Sequence, residues 1–136
     1  MSFHGDFYDY CQTKSAITDL IGTRMFWQVS LDATFPYTVG HFRDTERAQS
    51  NSGESGKITR SVVLAHFGST FNSAFNVAEA FRGVLAGLSR TTMGSTVISS
   101  IHLSGESTLL EPLHFAEQDA PHAFTQEYTV TYTEST

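Results

Sequence analysis

Between residues 3 and 21 apolar side chains return every three or four positions: Phe3, Phe7, Tyr10, Ile17 and Ile21, with Lys14 breaking the stripe. That spacing places them on one face of a helix. Ser15 is positioned to start a fresh short helix at 16–20, and Gly22 to stop it. Two short β segments are predicted next, at 24–29 (RMFWQV) and 36–43 (PYTVGHFR). Pro36 stands at the entry of the second, where a missing N–H is tolerated. Residues 58–68 (ITRSVVLAHFG) read as the central strand, with Val63, Ala65 and Phe67 on one face and Val62 and Leu64 on the other. Apolar residues at both parities imply cover on both faces. The expectation is that the core takes one face and that Val62 and Leu64 meet a neighbouring subunit.

Residues 73–88 carry the clearest amphipathic stripe: Ala74, Val77, Ala78, Phe81, Leu85 and Leu88, with Asn72 or Ser73 available as a cap. Gly83 and Gly87 fall inside this stretch and are expected to allow close packing. A strand over 96–103 has Val97, Ile101 and Leu103 on one side. At 123–133 the alternation is sharp: Phe124, Tyr128, Val130 and Tyr132 point in, while Thr125, Glu127, Thr129, Thr131 and Thr133 point out. A period of two with one wet face marks an antiparallel strand. Between the second and third strands lies DTERAQSNSGESGK, residues 44–57, polar apart from Ala48 and read as a long hairpin loop or a disordered flap. The fold class is therefore α+β. One domain over 1–136 holds an N-terminal helix (3–21), then a mainly antiparallel sheet of four or more strands and a second helix (24–133). Both helices are expected on one face of the sheet.

Composition narrows the function classes. The 136 residues carry 8 basic and 14 acidic side chains, a net charge of −6, and no Lys/Arg cluster. Phosphate contacts dominate nucleic-acid affinity, so this chain is a poor candidate for gripping DNA or RNA. Charged residues make up only 16%, against about 25% in ordinary domains. A hydroxyl-rich, charge-poor surface suits a subunit covered by neighbours. No polybasic stretch suggests an anionic membrane partner, and no apolar run reaches membrane-spanning length, so no transmembrane span is expected. The N-terminus has no charged-then-apolar leader pattern, which predicts assembly in the cytoplasm. Cys11, the single cysteine, has no basic neighbour closer than Lys14 and reads as a buried core thiol.

Candidate chemistry is sparse. Six histidines (His4, His41, His66, His102, His114 and His122) form no HxxxH, HExxH or HxH pattern. Glu106 and Glu111 flank a loop without a fixed His or Arg partner. Ser99, Ser100 and Ser104 surround His102, but strand neighbours point to opposite faces. The reading is a non-enzyme with no metal and no cofactor. The competing reading, a small ligand-binding or enzymatic α+β domain, requires a pocket of converging polar groups, with His66 and His102 as lining. Among eleven phenylalanines, Phe71 and Phe75 stand off the main helical stripe and are candidates for an interface.

A set of ordered blocks carries a resemblance: LIGTRMFW (20–27), FPYTV (35–39), RSVVLAHFGSTFNSAFNVAEAFRGVL (60–85), TVISSIHLSGES (96–107) and EYTVTYT (127–133). Together they resemble the tail-completion, or tail-terminator, proteins of long-tailed, siphovirus-like bacteriophages. Gly22 before Arg24–Met25–Phe26, Pro36–Tyr37 opening a strand, and Phe67 and Phe71 leading into an Ala-rich helix carry the likeness. The resemblance implies a structural virion protein forming a ring, typically a hexamer, on the head-proximal end of the tail tube. Its implied partners are further copies of itself, the tail tube protein and a head connector or stopper protein, with DNA passing through the lumen unbound. A head-to-tail connector of similar fold is the alternative within that class. The candidate interface residues are Arg43, Asp44, Glu46, Arg47, Glu54 and Lys57 of the polar hairpin, with Val62 and Leu64 of the central strand.

Overall fold

The computed structural model describes residues 3–28, 34–50, 53–108 and 122–134, with side chains at 3–28, 34–46, 57–107 and 122–133. In chain order the elements are α1 (Phe3–Gln12), α2 (Ser15–Ile21), β1 (Met25–Trp27), β2 (Tyr37–Ser50), β3 (Gly53–Gly68), α3 (Phe71–Leu85), β4 (Ser89–Met93), β5 (Thr96–Thr108) and β6 (His122–Glu134). The strands form one mixed, six-stranded sheet in the order β1-β2-β3-β6-β5-β4. β1 runs parallel to β2, and every other pairing is antiparallel.

The predicted N-terminal helix is two helices that break at Thr13–Lys14, with the second starting at Ser15. Gly22 ends α2 at φ 58, a left-handed conformation that costs glycine little. α1 packs on the sheet through Phe3, which stacks on Tyr132 at 4.4 Å, and through Phe7, which meets Trp27 edge-on at 5.9 Å. Asp6 pins the same helix to the β4–β5 turn. Its buried Oδ2 accepts from Ser95 N at 3.2 Å, Ser95 Oγ at 3.2 Å and Thr96 Oγ1 at 2.7 Å. α3 begins two residues earlier than expected because Thr70, rather than Asn72 or Ser73, caps it, its hydroxyl accepting from Ser73 N at 3.1 Å. Gly83 has open space above its Cα, and Gly87 lies past the helix at φ 82, so neither serves close packing.

The described helices share one core against the sheet. The core joins Phe3, Phe7, Cys11, Ile17 and Ile21 to Val77, Phe81 and Leu85 and to Ile58, Val62, Leu64, Ile98, Ile101, Tyr128, Val130 and Tyr132 of the sheet. Each such side chain contributes roughly 1.5–3 kcal/mol by leaving water. Gly40 leaves room for the Trp27 ring, since a Cβ there would stand 2.8 Å from it.

Three expectations change. Val62 and Leu64 have no exposure and belong to the core, because they pair across from Tyr128 and Gln126 on the helix-covered face. They are therefore not a docking surface; Val63, Ala65 and Phe67 take the opposite face. The polar stretch 44–57 is mostly ladder rather than loop, with Thr45 opposite Arg60, Arg47 opposite Ile58 and Ser50 opposite Gly53. Backbone pairing needs no apolar side chain, so a polar sequence hid it. β4, whose sequence SRTTM has neither alternation nor apolar weight, adds an edge strand that the hydrophobic pattern did not signal.

Candidate protein–protein interface

The sheet face turned away from the helices carries Val39, His41, Val63, Ala65 and Phe67 beside Thr125, Glu127, Thr129, Thr131 and Thr133, as the strand registers require. Its middle is hollowed into a cleft of about 370 Å³ lined by His41, Arg43, Val63, Glu106, Thr125 and Glu127. Arg43 Nη1 donates to Glu127 Oε1 at 2.8 Å across this face, with the arginine 64% exposed. An ion pair so wet contributes less than about 1 kcal/mol. What it does is hold two opposite charges in place on an otherwise hydroxyl-rich surface.

One end of the sheet is aromatic on both faces. Tyr37 stacks on Phe67 at 5.0 Å and on Phe35 at 5.6 Å, and Phe26 approaches it at 6.5 Å. These rings are half-buried, and their partial burial pushes the Tyr37 hydroxyl pKa up. On the helical side of the same end, Phe71 stacks on Phe75 at 5.9 Å, and both rings pack on Phe124. Phe71 remains 45% exposed, among the largest exposed apolar side chains. A ring so placed is a candidate interaction anchor.

The opposite end carries the β2–β3 hairpin. Among the described residues β3 pairs with β6 only from Lys57 onward, so the pairs Gln49–Glu54 and Ser50–Gly53 of the hairpin stand beyond that ladder. Asp44 and Glu46 are exposed along β2, and Lys57 is exposed at the hairpin's base. The backbones of Arg47 and Glu54 lie in the hairpin strands, while their side chains fall outside the described residues. Thus Arg43, Asp44, Glu46 and Lys57 are brought onto one accessible element, and Val62 and Leu64 are separated from it.

A polar chain crosses the core. His66 is fully buried, with Nδ1 2.9 Å from Thr38 Oγ1 and Nε2 2.9 Å from Gln126 Oε1. Gln126 Nε2 donates to Ala78 O at 3.1 Å and to Glu106 Oε2 at 3.0 Å, which fixes the amide with Oε1 toward the histidine. Tyr128 Oη donates to the same Oε1 at 2.9 Å. With Oε1 accepting, His66 must carry its proton on Nε2 and accept from Thr38 on Nδ1. Burial pushes the His66 pKa down to about 4, with the Gln126 hydrogen bond opposing. The sequence pattern gave a signal for this chain in Thr38 and Gln126, polar residues at inward positions of alternating strands.

His102 pairs with Thr129 and is exposed on the outer face, so it shares no pocket with His66. Among the described residues no three His, Cys, Asp or Glu side chains converge as metal ligands. Glu111 and His114 lie outside the described residues. Cys11 has no exposure, and burial pushes its thiol pKa up to about 12. No described helix is long and apolar enough to cross a membrane.

No protein-family pattern matches the sequence, and no curated protein matches it either. Among solved structures, the fold is similar to that of a chain in the virion of a native gene transfer agent particle, with a TM-score of 0.72 at 12% identity, over 97% of this chain and 95% of that one.

Proposed function

We propose that this chain is a structural virion protein of a phage-like particle, a tail-terminator subunit that forms a ring on the head-proximal end of the tail tube. The observation that carries the reading is the end-to-end likeness to a virion chain, which leaves almost nothing of either chain unmatched. The surface supports it. An open, threonine-rich sheet face, a projecting charged hairpin and an exposed Phe71 are features of a subunit that meets several neighbours. A ring uses two different patches per subunit, which this asymmetric distribution supplies. The net charge of −6 suits a lumen through which DNA slides without adhering. In this reading the chain has no catalytic role and no cofactor, and its partners are its own copies, the tail tube and the head connector.

The test is native mass and negative-stain imaging of the purified protein, alone and mixed with tail tubes. Rings seated at one end of the tubes are expected. A protein that stays monomeric in both conditions overturns the reading, and rings that bind the connector but never a tube reassign it to head–tail joining.

A further inference from the structure

The strand registers leave two half-edges of the sheet without a partner among the described residues. β1 covers β2 only over Thr38–Gly40, ending at the bond from Gln28 N to Gly40 O at 2.8 Å. From Phe42 to Ser50, β2 is therefore flanked by β3 alone. At the other side, β4 covers β5 up to Ser100, and the residues leading into β4 add Gly87 N to Ile101 O at 3.1 Å and Ile101 N to Leu88 O at 2.9 Å. From Leu103 to Thr108, β5 is flanked by β6 alone. Open edges of this kind are templates for another strand.

We infer that the two half-edges are made for each other, β2 of one copy pairing antiparallel with β5 of the next. The pairing rests on the ring reading above and names the surface that closes it. Three features of the register carry it. First, the two half-edges lie at diagonal corners. Tyr37, Phe67 and Ala123 share one end of the sheet with Thr108, whereas Ser50 and Gly53 lie past the other end, which Thr96 shares with Glu134. A neighbour displaced sideways and along the strands by about half a strand brings one open half against the other. In that position β1 of one copy and β4 of its neighbour flank the junction instead of colliding, and act as stops that set the stagger. Second, the sense is right: β2 and β6 run one way, β3 and β5 the other. A head-to-tail continuation of the sheet therefore sets β2 antiparallel to β5, the more stable kind of pair. Third, an apolar anchor lies beside the β5 half-edge, because Thr108 pairs with Phe124, which carries Phe75 and the exposed Phe71. Main-chain bonds supply affinity in such an addition, and neighbouring side chains supply selectivity. The required stagger also inclines the strands to the ring axis, as closed sheets demand.

Backbone amide exchange tests this on the full chain, comparing assembled rings with the dilute subunit. Amides of residues 42–50 and 103–108 are expected to exchange at least ten-fold more slowly in the ring, with β3 and β6 unchanged. Alongside, Glu46→Cys and Ser107→Cys proteins are mixed and treated with a short bis-maleimide; both positions are exposed and Cys11 is buried. Mixed dimers are expected in excess over like-with-like ones. Rings whose half-edges exchange at the subunit's rate, or which cross-link only like with like, overturn the pairing while the ring reading stands. Protection that appears only on adding tail tubes, without self-assembly, gives the edge to a tube strand and also overturns it. If no ring forms under any condition, both readings fall.

Discussion

His66 offers a measurable link between the buried polar chain and stability. Its imidazole is fully buried, 4.8 Å from the Phe81 ring, between Thr38 and Gln126, with Tyr128 and Glu106 bonded to the same amide. Protonating it means placing a cation in that site, and burial lowers its pKa from 6.5 to about 4. Between those two values the unfolded chain binds a proton that the folded chain refuses, so stability falls as the medium becomes more acidic. The contribution is complete above pH 6.5, declines as pH falls, and levels off near pH 4. At 1.36 kcal/mol per pH unit the loss is about 3 kcal/mol, a large share of the roughly 5–15 kcal/mol that a domain of this size has. The assay is urea unfolding at pH 7.5, 6, 5 and 4 for the wild type and for His66→Gln. Carboxylates titrate in both proteins, so only the difference between the two curves belongs to His66. The variant is expected to be less stable at pH 7.5 and to lose about 3 kcal/mol less by pH 4. Parallel curves would refute the assignment of His66 as a neutral buried group.

Three further outcomes are expected. Leu64→Ala should cost about 2–5 kcal/mol by urea unfolding, as buried leucines do, and Leu64→Asp should fail to fold by circular dichroism; a folded Leu64→Asp would return that position to the surface. Gly94→Ala should lower stability by about 1–3 kcal/mol, because a left-handed residue is strained by a side chain and the added Cβ meets the Asp6 carboxylate; a neutral change would show that the turn yields freely. Cys11 should react with a thiol reagent only at the rate of unfolding, since its thiol is buried with a pKa pushed up to about 12; rapid labelling of the native protein would contradict its place in the core.

How far the sequence could be read depended on how many elements a feature involves. β6 was legible because one of its faces is wet, and the alternation of Tyr128, Val130 and Tyr132 with threonines states its orientation outright. β3 was legible as a strand but not in its facing. Val62 and Leu64 alternate with Val63, Ala65 and Phe67, and both sets are apolar. What decides between them is the partner: Val62 stands opposite Tyr128, and Arg60 opposite Val130. The orientation of β3 is thus inherited from β6, a long-range fact that no local pattern holds. The His66 chain showed only as polar Thr38 and Gln126 at inward positions, and its connection was not legible for the same reason, since its groups come from β2, β3, α3, β5 and β6. Of the candidate interface residues, the charges of the hairpin stood out because a long polar run announces itself. The half-edges did not, because they are defined by where β1 and β4 stop.

The hairpin beyond the sheet separates folding from assembly most cleanly. Gln49 and Ser50 pair with Glu54 and Gly53 within the hairpin, and β3 joins β6 from Lys57 onward. The stretch 48–55 is polar except for Ala48, so its removal takes almost no apolar burial from the core. Loop tips generally tolerate shortening. Replacing 48–55 with two glycines should therefore change stability by less than about 1 kcal/mol. The same deletion removes the outer part of the β2 half-edge and cuts back the charged arm. If that arm meets a neighbour or the tube, rings should fail to close or to seat, as read by native mass and by imaging of tube ends. A shortened protein that folds, closes rings and caps tubes like the wild type would leave the hairpin without a part in assembly and confine copy-to-copy pairing to Phe42–Arg47.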